Sequence, residues 1–114
     1  MKRVKRRYLA LQIESTSALH PRELIDAIWI SVSQLYGEYG ASKTNLSLID
    51  FNSETNRAII RTTLISLNQV RASLTTITSI AEQQVSLHVL AISGTIKALN
   101  KNILKKYSKN IHLI

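Results

Sequence analysis

The stretch Ser93-Gly94-Thr95-Ile96-Lys97 has the residue types of an anion-binding corner. A glycine where a strand gives way to a helix leaves backbone N–H groups exposed at the helix start, and the helix dipole adds partial positive charge there. Ser93 or Thr95 can add a hydroxyl, and Lys97 a cation one turn in. The competing reading is an ordinary helix cap, in which the hydroxyl satisfies the helix's own first N–H groups. Local sequence leaves both open. Two further features suit phosphate. The run Met1-Lys2-Arg3-Val4-Lys5-Arg6-Arg7 reads either as an arm that orders on a polyanion or as a solubilising tail. Lys97, Lys101 and Lys105 stand four apart, forming one helical ridge that Lys106 and Lys109 adjoin. Such a ridge fits a phosphate backbone as well as it fits the usual solvated side of an amphipathic helix.

Residues suited to bond cleavage are scarce. His20, His88 and His112 are scattered without partners at metal-ligand spacing, and His20 reads as a helix-start residue. Asp50 and Glu54 flank a turn, where acids commonly cap backbone groups. The segment Gly37-Glu38-Tyr39-Gly40-Ala41-Ser42-Lys43 has glycines but lacks the lysine and hydroxyl spacing of a phosphate-cradling loop, so it reads as a helix stop and turn. Trp29 sits in an apolar stripe and reads as core or as a protein contact. No catalytic residue and no metal ligand is expected.

Composition points the same way. Fifteen Lys and Arg against seven Asp and Glu leave a net charge of +8 on 114 residues. A field of that sign draws polyanions, nucleic acid first and acidic lipid or protein second. Five cations fall in the first seven residues and five more in the last eighteen. The absence of cysteine excludes disulfides, thiol catalysis and cysteine-ligated zinc, and suits a reducing, cytoplasmic setting. No apolar run approaches the ~20 residues of a membrane span, and the basic start lacks the apolar stretch of a signal peptide. We therefore expect a soluble, unprocessed protein with no membrane partner.

The elements that must position these groups follow from periodicity. Tyr8 to Glu14 alternates as a half-buried strand, with Leu9, Leu11 and Ile13 on one side. Pro21 suits the first turn of a helix whose apolar stripe is Leu24, Ile25, Ile28, Trp29, Val32, Leu35 and Tyr36. Gly37 and Gly40 mark its end. Strands at Leu46 to Phe51 and Arg57 to Leu64 flank the turn-rich segment 52–56. Ser66 caps a second helix in which Leu67, Val70, Leu74 and Ile77 face inward. Val85 to Ile92 is a fourth strand, and a terminal helix follows Gly94. The order β-α-β-β-α-β predicts an α+β, ferredoxin-like sandwich with two helices on one face of a four-stranded antiparallel sheet. One domain spans residues 1–114, with 1–7 an arm and 105–114 a tail. The other face carries Tyr8, Gln12, Arg57, Ile59, Arg61 and His88, and the terminal helix is the natural cover for part of it. Its central strand has no aromatic pair of the kind an RNA-recognition motif uses to stack bases, so contact through phosphate and shape is the expected mode.

Several segments also resemble the archaeal ribonuclease P protein component 2 family. They are Arg6-Arg7-Tyr8, Arg22-Glu23-Leu24 with Ala27-Ile28-Trp29, and Tyr36-Gly37-Glu38-Tyr39-Gly40-Ala41-Ser42. Val70-Arg71-Ala72 with Ile77-Thr78-Ser79-Ile80 and Ser93-Gly94-Thr95-Ile96-Lys97-Ala98-Leu99 complete the set. The likeness runs from about residue 5 to 104. It implies a non-catalytic, cytoplasmic subunit of the ribonucleoprotein that removes the 5′ leader from precursor tRNA, with an RNA component and its magnesium performing the hydrolysis. It implies a companion subunit, protein component 3, with a TIM-barrel-like fold, two such pairs joining as a heterotetramer, and other protein subunits. It tips Ser93, Gly94, Thr95 and Lys97 toward RNA contact. Arg3, Lys5, Arg6, Arg7, Arg71, Lys101 and Lys105 complete the expected RNA-binding set. Trp29, Gly37, Tyr39, Gly40 and Ser42 are the expected protein contacts. A module that binds mainly protein, with little direct RNA contact, is the alternative.

Overall fold

In a computed structural model, which describes the backbone of residues 4–111 and the side chains of 4–104, the elements run β1 (Arg6–Ser15), α1 (Pro21–Ser42), β2 (Ser47–Asn52), β3 (Arg57–Thr63), α2 (Leu67–Thr76), β4 (Ser79–Ile80), β5 (Gln83–Ser93) and α3 (Ile96–Ile111). The strands lie antiparallel in the order β2-β3-β1-β5-β4, the ferredoxin-like arrangement with one short strand added at the edge. Strand alternation sets the layers. Leu9, Leu11 and Ile13 of β1 and Ala58 and Ile60 of β3 point to one side, where Leu24, Ile28 and Val32 of α1 and Val70 and Leu74 of α2 meet them in a closed core.

The fifth strand is the departure from the four expected. β4 pairs Ser79 with Gln84 and Ile80 with Gln83, across a turn in which Ala81 and Glu82 have φ of 51° and 65°. Glycine or asparagine is the usual occupant of such left-handed positions, so the sequence carries no turn signal there.

Pro21 opens α1 as expected. His20 Nδ1 accepts from the Arg22 N–H at 3.3 Å, and Glu23 Oε1 accepts from the His20 N–H at 3.0 Å. The helix does not end at Gly37. There the chain takes φ 78° and ψ 166°, a region only glycine occupies freely, and helical structure resumes through Ser42. Gly40 is needed for space, since a Cβ there would lie 3.0 Å from the Tyr36 Cβ. The buried stripe is also narrower than periodicity suggests, for Trp29, Leu35 and Tyr36 are partly exposed. Trp29 is thus not a core residue.

α1 and α2 are joined by polar groups. The buried Ser31 hydroxyl bonds to the Ser73 carbonyl at 2.9 Å and to the Thr76 hydroxyl at 2.6 Å. Ser66 sits at the α2 start without capping it through its side chain; its N–H instead donates to Thr63 Oγ1 at 3.2 Å. The threonines do end this helix, Thr75 and Thr76 hydroxyls turning back to the Ala72 and Ser73 carbonyls at 2.7 Å.

α3 packs against β5 and β1 on the face that α1 and α2 leave open. Leu99 is fully buried, and Ala10, opposite Ala91, is 2% exposed. Small residues at these paired positions let the helix approach the sheet closely. Among the described residues, no helix is long and apolar enough to cross a membrane.

Candidate nucleic-acid interface

Antiparallel pairing gathers distant segments at one end of the sheet. Arg6 lies opposite Thr63, Tyr8 opposite both Arg61 and Ser93, and Ser47 opposite Arg61. The start of β1, the ends of β3 and β5, the start of α3 and the end of α1 therefore share this end. With them come Lys5, Arg6, Arg7, Lys43, Arg61 and Lys97. At the opposite end, where β1 runs out at Glu14 and β5 begins, are Glu14, Glu23, Asp26, Glu54 and Glu82. Arg22 and Arg57 also lie at that far end, and Glu38 lies on the α1 end of the basic one, so the ends differ in the balance of charge: mainly cationic at one, mainly anionic at the other.

The Ser93–Lys97 corner takes the strand-to-helix form expected of it. Thr95 Oγ1 accepts from the Ala98 N–H at 3.1 Å, and the Thr95 carbonyl takes the Leu99 N–H at 3.0 Å. Thr95 is therefore the helix cap, its hydroxyl engaged inside the chain. First-turn N–H groups of a helix lack intrahelical acceptors, so Ile96 and Lys97 still offer an anion their backbone donors. Gly94 brings something the sequence did not signal. A Cβ there would lie 3.3 Å from Arg7 Nη1, so the bare backbone lets this guanidinium settle against the corner. Arg7 Nη1 also donates to the Arg6 carbonyl at 2.8 Å, holding its head in position. The guanidinium therefore lies beside the strand-to-helix corner.

The remaining expected residues are spread more widely. Lys101 is exposed one turn beyond Lys97 on α3. The Lys105 side chain lies outside the described residues, as do Arg3, His112 and most of the tail. Arg71 stands exposed on α2, in the other helical layer, apart from the α3 ridge. Gly37, Tyr39, Gly40 and Ser42 form the bent end of α1. There Ser42 Oγ donates to the Tyr39 carbonyl at 2.8 Å, and Lys43 Nζ lies 4.4 Å from the centre of the Tyr39 ring. That ring is 75% exposed.

Sequence reasoning overlooked Arg61 as a site residue. Its signal was strand register, which puts it beside Ser47 on the edge strand and on the same sheet face as Arg6. Among the described residues, neither Arg6 nor Arg61 has a carboxylate within ion-pair distance, and no three His, Asp or Glu side chains come together as metal ligands could. His88 instead sits 3.6 Å from Glu14.

The molecule is a ferredoxin-like α+β sandwich, its open face roofed by a basic helix and its cations drawn to one end. The chain belongs to the Rpp14/Pop5 family, which it matches over residues 7–104. A relative from Pyrococcus furiosus named ribonuclease P protein component 2 is 33% identical over 92% of this chain and 88% of its own length. One of the same name from Methanosarcina barkeri is 31% identical over 90% and 75%. Among solved structures, a chain of yeast ribonuclease MRP, seen by cryo-electron microscopy, superimposes with a TM-score of 0.68. It covers 100% of this chain and 99% of its own at 14% identity, a likeness of fold.

Proposed function

We propose that this chain is a protein subunit of ribonuclease P that binds and stabilises the complex's catalytic RNA for removal of the 5′ leader from precursor tRNA. The observation that carries this reading is the convergence of Lys5, Arg6, Arg7 and Lys97 with the α3 start, most carboxylates lying elsewhere. Folded RNA is limited by repulsion between its phosphates. Cationic side chains in fixed positions replace condensed counterions there, and the entropy of the released ions favours the complex. The chain would take no chemical step; the RNA component and the magnesium it binds would perform the hydrolysis in a cytoplasmic particle. The relatives' name, a numbered protein component, supports companion protein subunits; the partner we propose is a component 3 subunit, joined pairwise into a heterotetramer. The bent end of α1, with Gly37, Tyr39 and Gly40, suits such a contact.

Reconstitution tests this. RNA component and companion subunits, with and without this chain, are assayed for leader removal as magnesium is lowered. Activity should persist to markedly lower magnesium when the chain is present. The Lys97→Ala, Arg71→Ala double variant should flatten the salt dependence of RNA binding by about two logarithmic units per decade of salt. Equal magnesium requirement with and without the chain would refute the role, and an unchanged slope would remove both residues from the interface.

A further inference from the structure

The basic end carries a cavity that the phosphate-contact reading does not use. It has a volume of about 490 Å³ and is lined by Arg6, Trp29, Ser42, Asn45, Ser47 and Arg61, among others. We propose that it binds one nucleotide of single-stranded or looped-out RNA, the base against Trp29 and the phosphate on Arg6 and Arg61. This rests on the RNA-subunit reading and adds a specific subsite to it.

Three observations converge. First, Arg6 and Arg61 are diagonal neighbours on one sheet face, their backbones about 7–8 Å apart by strand geometry and within reach of one oxyanion through their long side chains. Neither has a hydrogen-bonding or ion-pair partner for its side chain among the described residues. Two guanidiniums left together repel, and an oxyanion between them relieves this by accepting from both. Second, Trp29 is 40% exposed. Indole is the largest apolar side chain and commonly shields its ring, so an open one beside two cations suits a flat, electron-rich partner. A nucleobase has that shape, and any base presents such a face. Third, Asn45, held at φ 49°, and the hydroxyls of Ser42 and Ser47 bring amide and hydroxyl groups to the same walls, able to meet the edge of a base. Inorganic phosphate would use the arginines alone and leave the ring and amide idle. The volume falls within the ~300–1,000 Å³ of small-ligand sites. The residues come from β1, α1, the segment before β2, and β3, so the cavity exists only in the folded chain.

Trp29 is the sole tryptophan, which makes its fluorescence a direct reporter. The full-length chain is titrated at low salt with a six-nucleotide single-stranded oligouridylate, with an abasic oligomer of equal length, with uridine monophosphate and with oligoglutamate. Saturable quenching by the oligouridylate is expected, with the abasic oligomer binding at least about fivefold more weakly. The mononucleotide should quench the same signal at higher concentration. By anisotropy of a labelled oligomer, Trp29→Leu should lose about tenfold in affinity while Trp29→Phe retains most of it. Arg6→Ala and Arg61→Ala should each flatten the salt slope by about one unit. Equal quenching and affinity with the abasic oligomer would overturn the proposal, as would a response to oligoglutamate alone. A silent Trp29 in a protein that still shifts the cognate RNA on a gel would remove the pocket and leave the RNA-subunit reading standing. No binding of the cognate RNA, alone or with companion subunits, would remove both.

Discussion

The two ends of the sandwich are built from the same strands yet differ in nearly every respect that matters for binding. At one end, cations from four separate segments meet a helix start, a half-open indole and exposed aliphatic residues, Ile65 at 94% and Val4 at 62%. At the other end, the carboxylates have local duties. Glu23 caps α1, Asp26 lies 3.9 Å from Arg22, and Glu14 faces His88. Internal hydrogen bonds secure both ends, as where Thr62 Oγ1 donates to the Thr44 carbonyl at 2.8 Å at the basic end, and at the other they also engage the longer polar side chains. Gln12 Nε2 donates to the Thr55 carbonyl at 2.9 Å, Arg57 Nε donates to Gln12 Oε1 at 3.1 Å, and Ser17 N–H meets Gln83 Oε1 at 2.9 Å. Polar groups turned inward fasten a fold, whereas polar groups without internal partners remain available to something else. The contrast separates a structural end from a recognition end.

Charge removal should break this contrast most visibly. Replacing Arg6, Arg7 and Lys97 together by alanine should cut RNA affinity about 100-fold at low salt and flatten the salt slope by nearly three units. Glu14→Gln with Glu54→Gln should change affinity by less than about threefold under the same conditions. Filter binding over a salt series measures both, and equal effects at the two ends would abolish the distinction.

Next in size is the bend of α1. Gly37→Ala forces a side chain into backbone geometry that only glycine tolerates, so a urea melt should lose about 2 kcal/mol. A loss under about 0.5 kcal/mol would mean that the bend relaxes at little cost. The smallest effect belongs to the structural end. Glu82→Gly relieves a left-handed φ of 65° in the β4–β5 turn and should raise stability by up to about 1 kcal/mol. RNA affinity should stay unchanged, and a coupled change in binding would blur the division of labour between the ends.

Much of this was legible in the sequence because it rests on local periodicity. The alternation of Leu9, Leu11 and Ile13, the proline at the α1 start and the hairpin at 52–56 follow from rules that act within a few residues. What escaped depends on distance in the chain or on exceptions to those rules. β4 was hidden because alanine and glutamate occupy its turn. Trp29 matched the helical stripe, yet it is partly exposed and borders a cavity at the sheet edge. The corner at Gly94 was visible as a motif, but its arginine came from the far end of the sequence, delivered by β1–β5 pairing. Arg61 looked like one more charge on a strand until register set it beside Arg6. Residue types announced the chemistry of the site, and tertiary pairing decided its membership.

By lying over Ala10, α3 covers part of the broad surface that a bare four-stranded sandwich would present. A partly roofed sheet offers visitors chiefly its rims, and rims are made of turns, bends and helix tips. Specificity can then drift by altering those few residues while the packed layers beneath stay untouched.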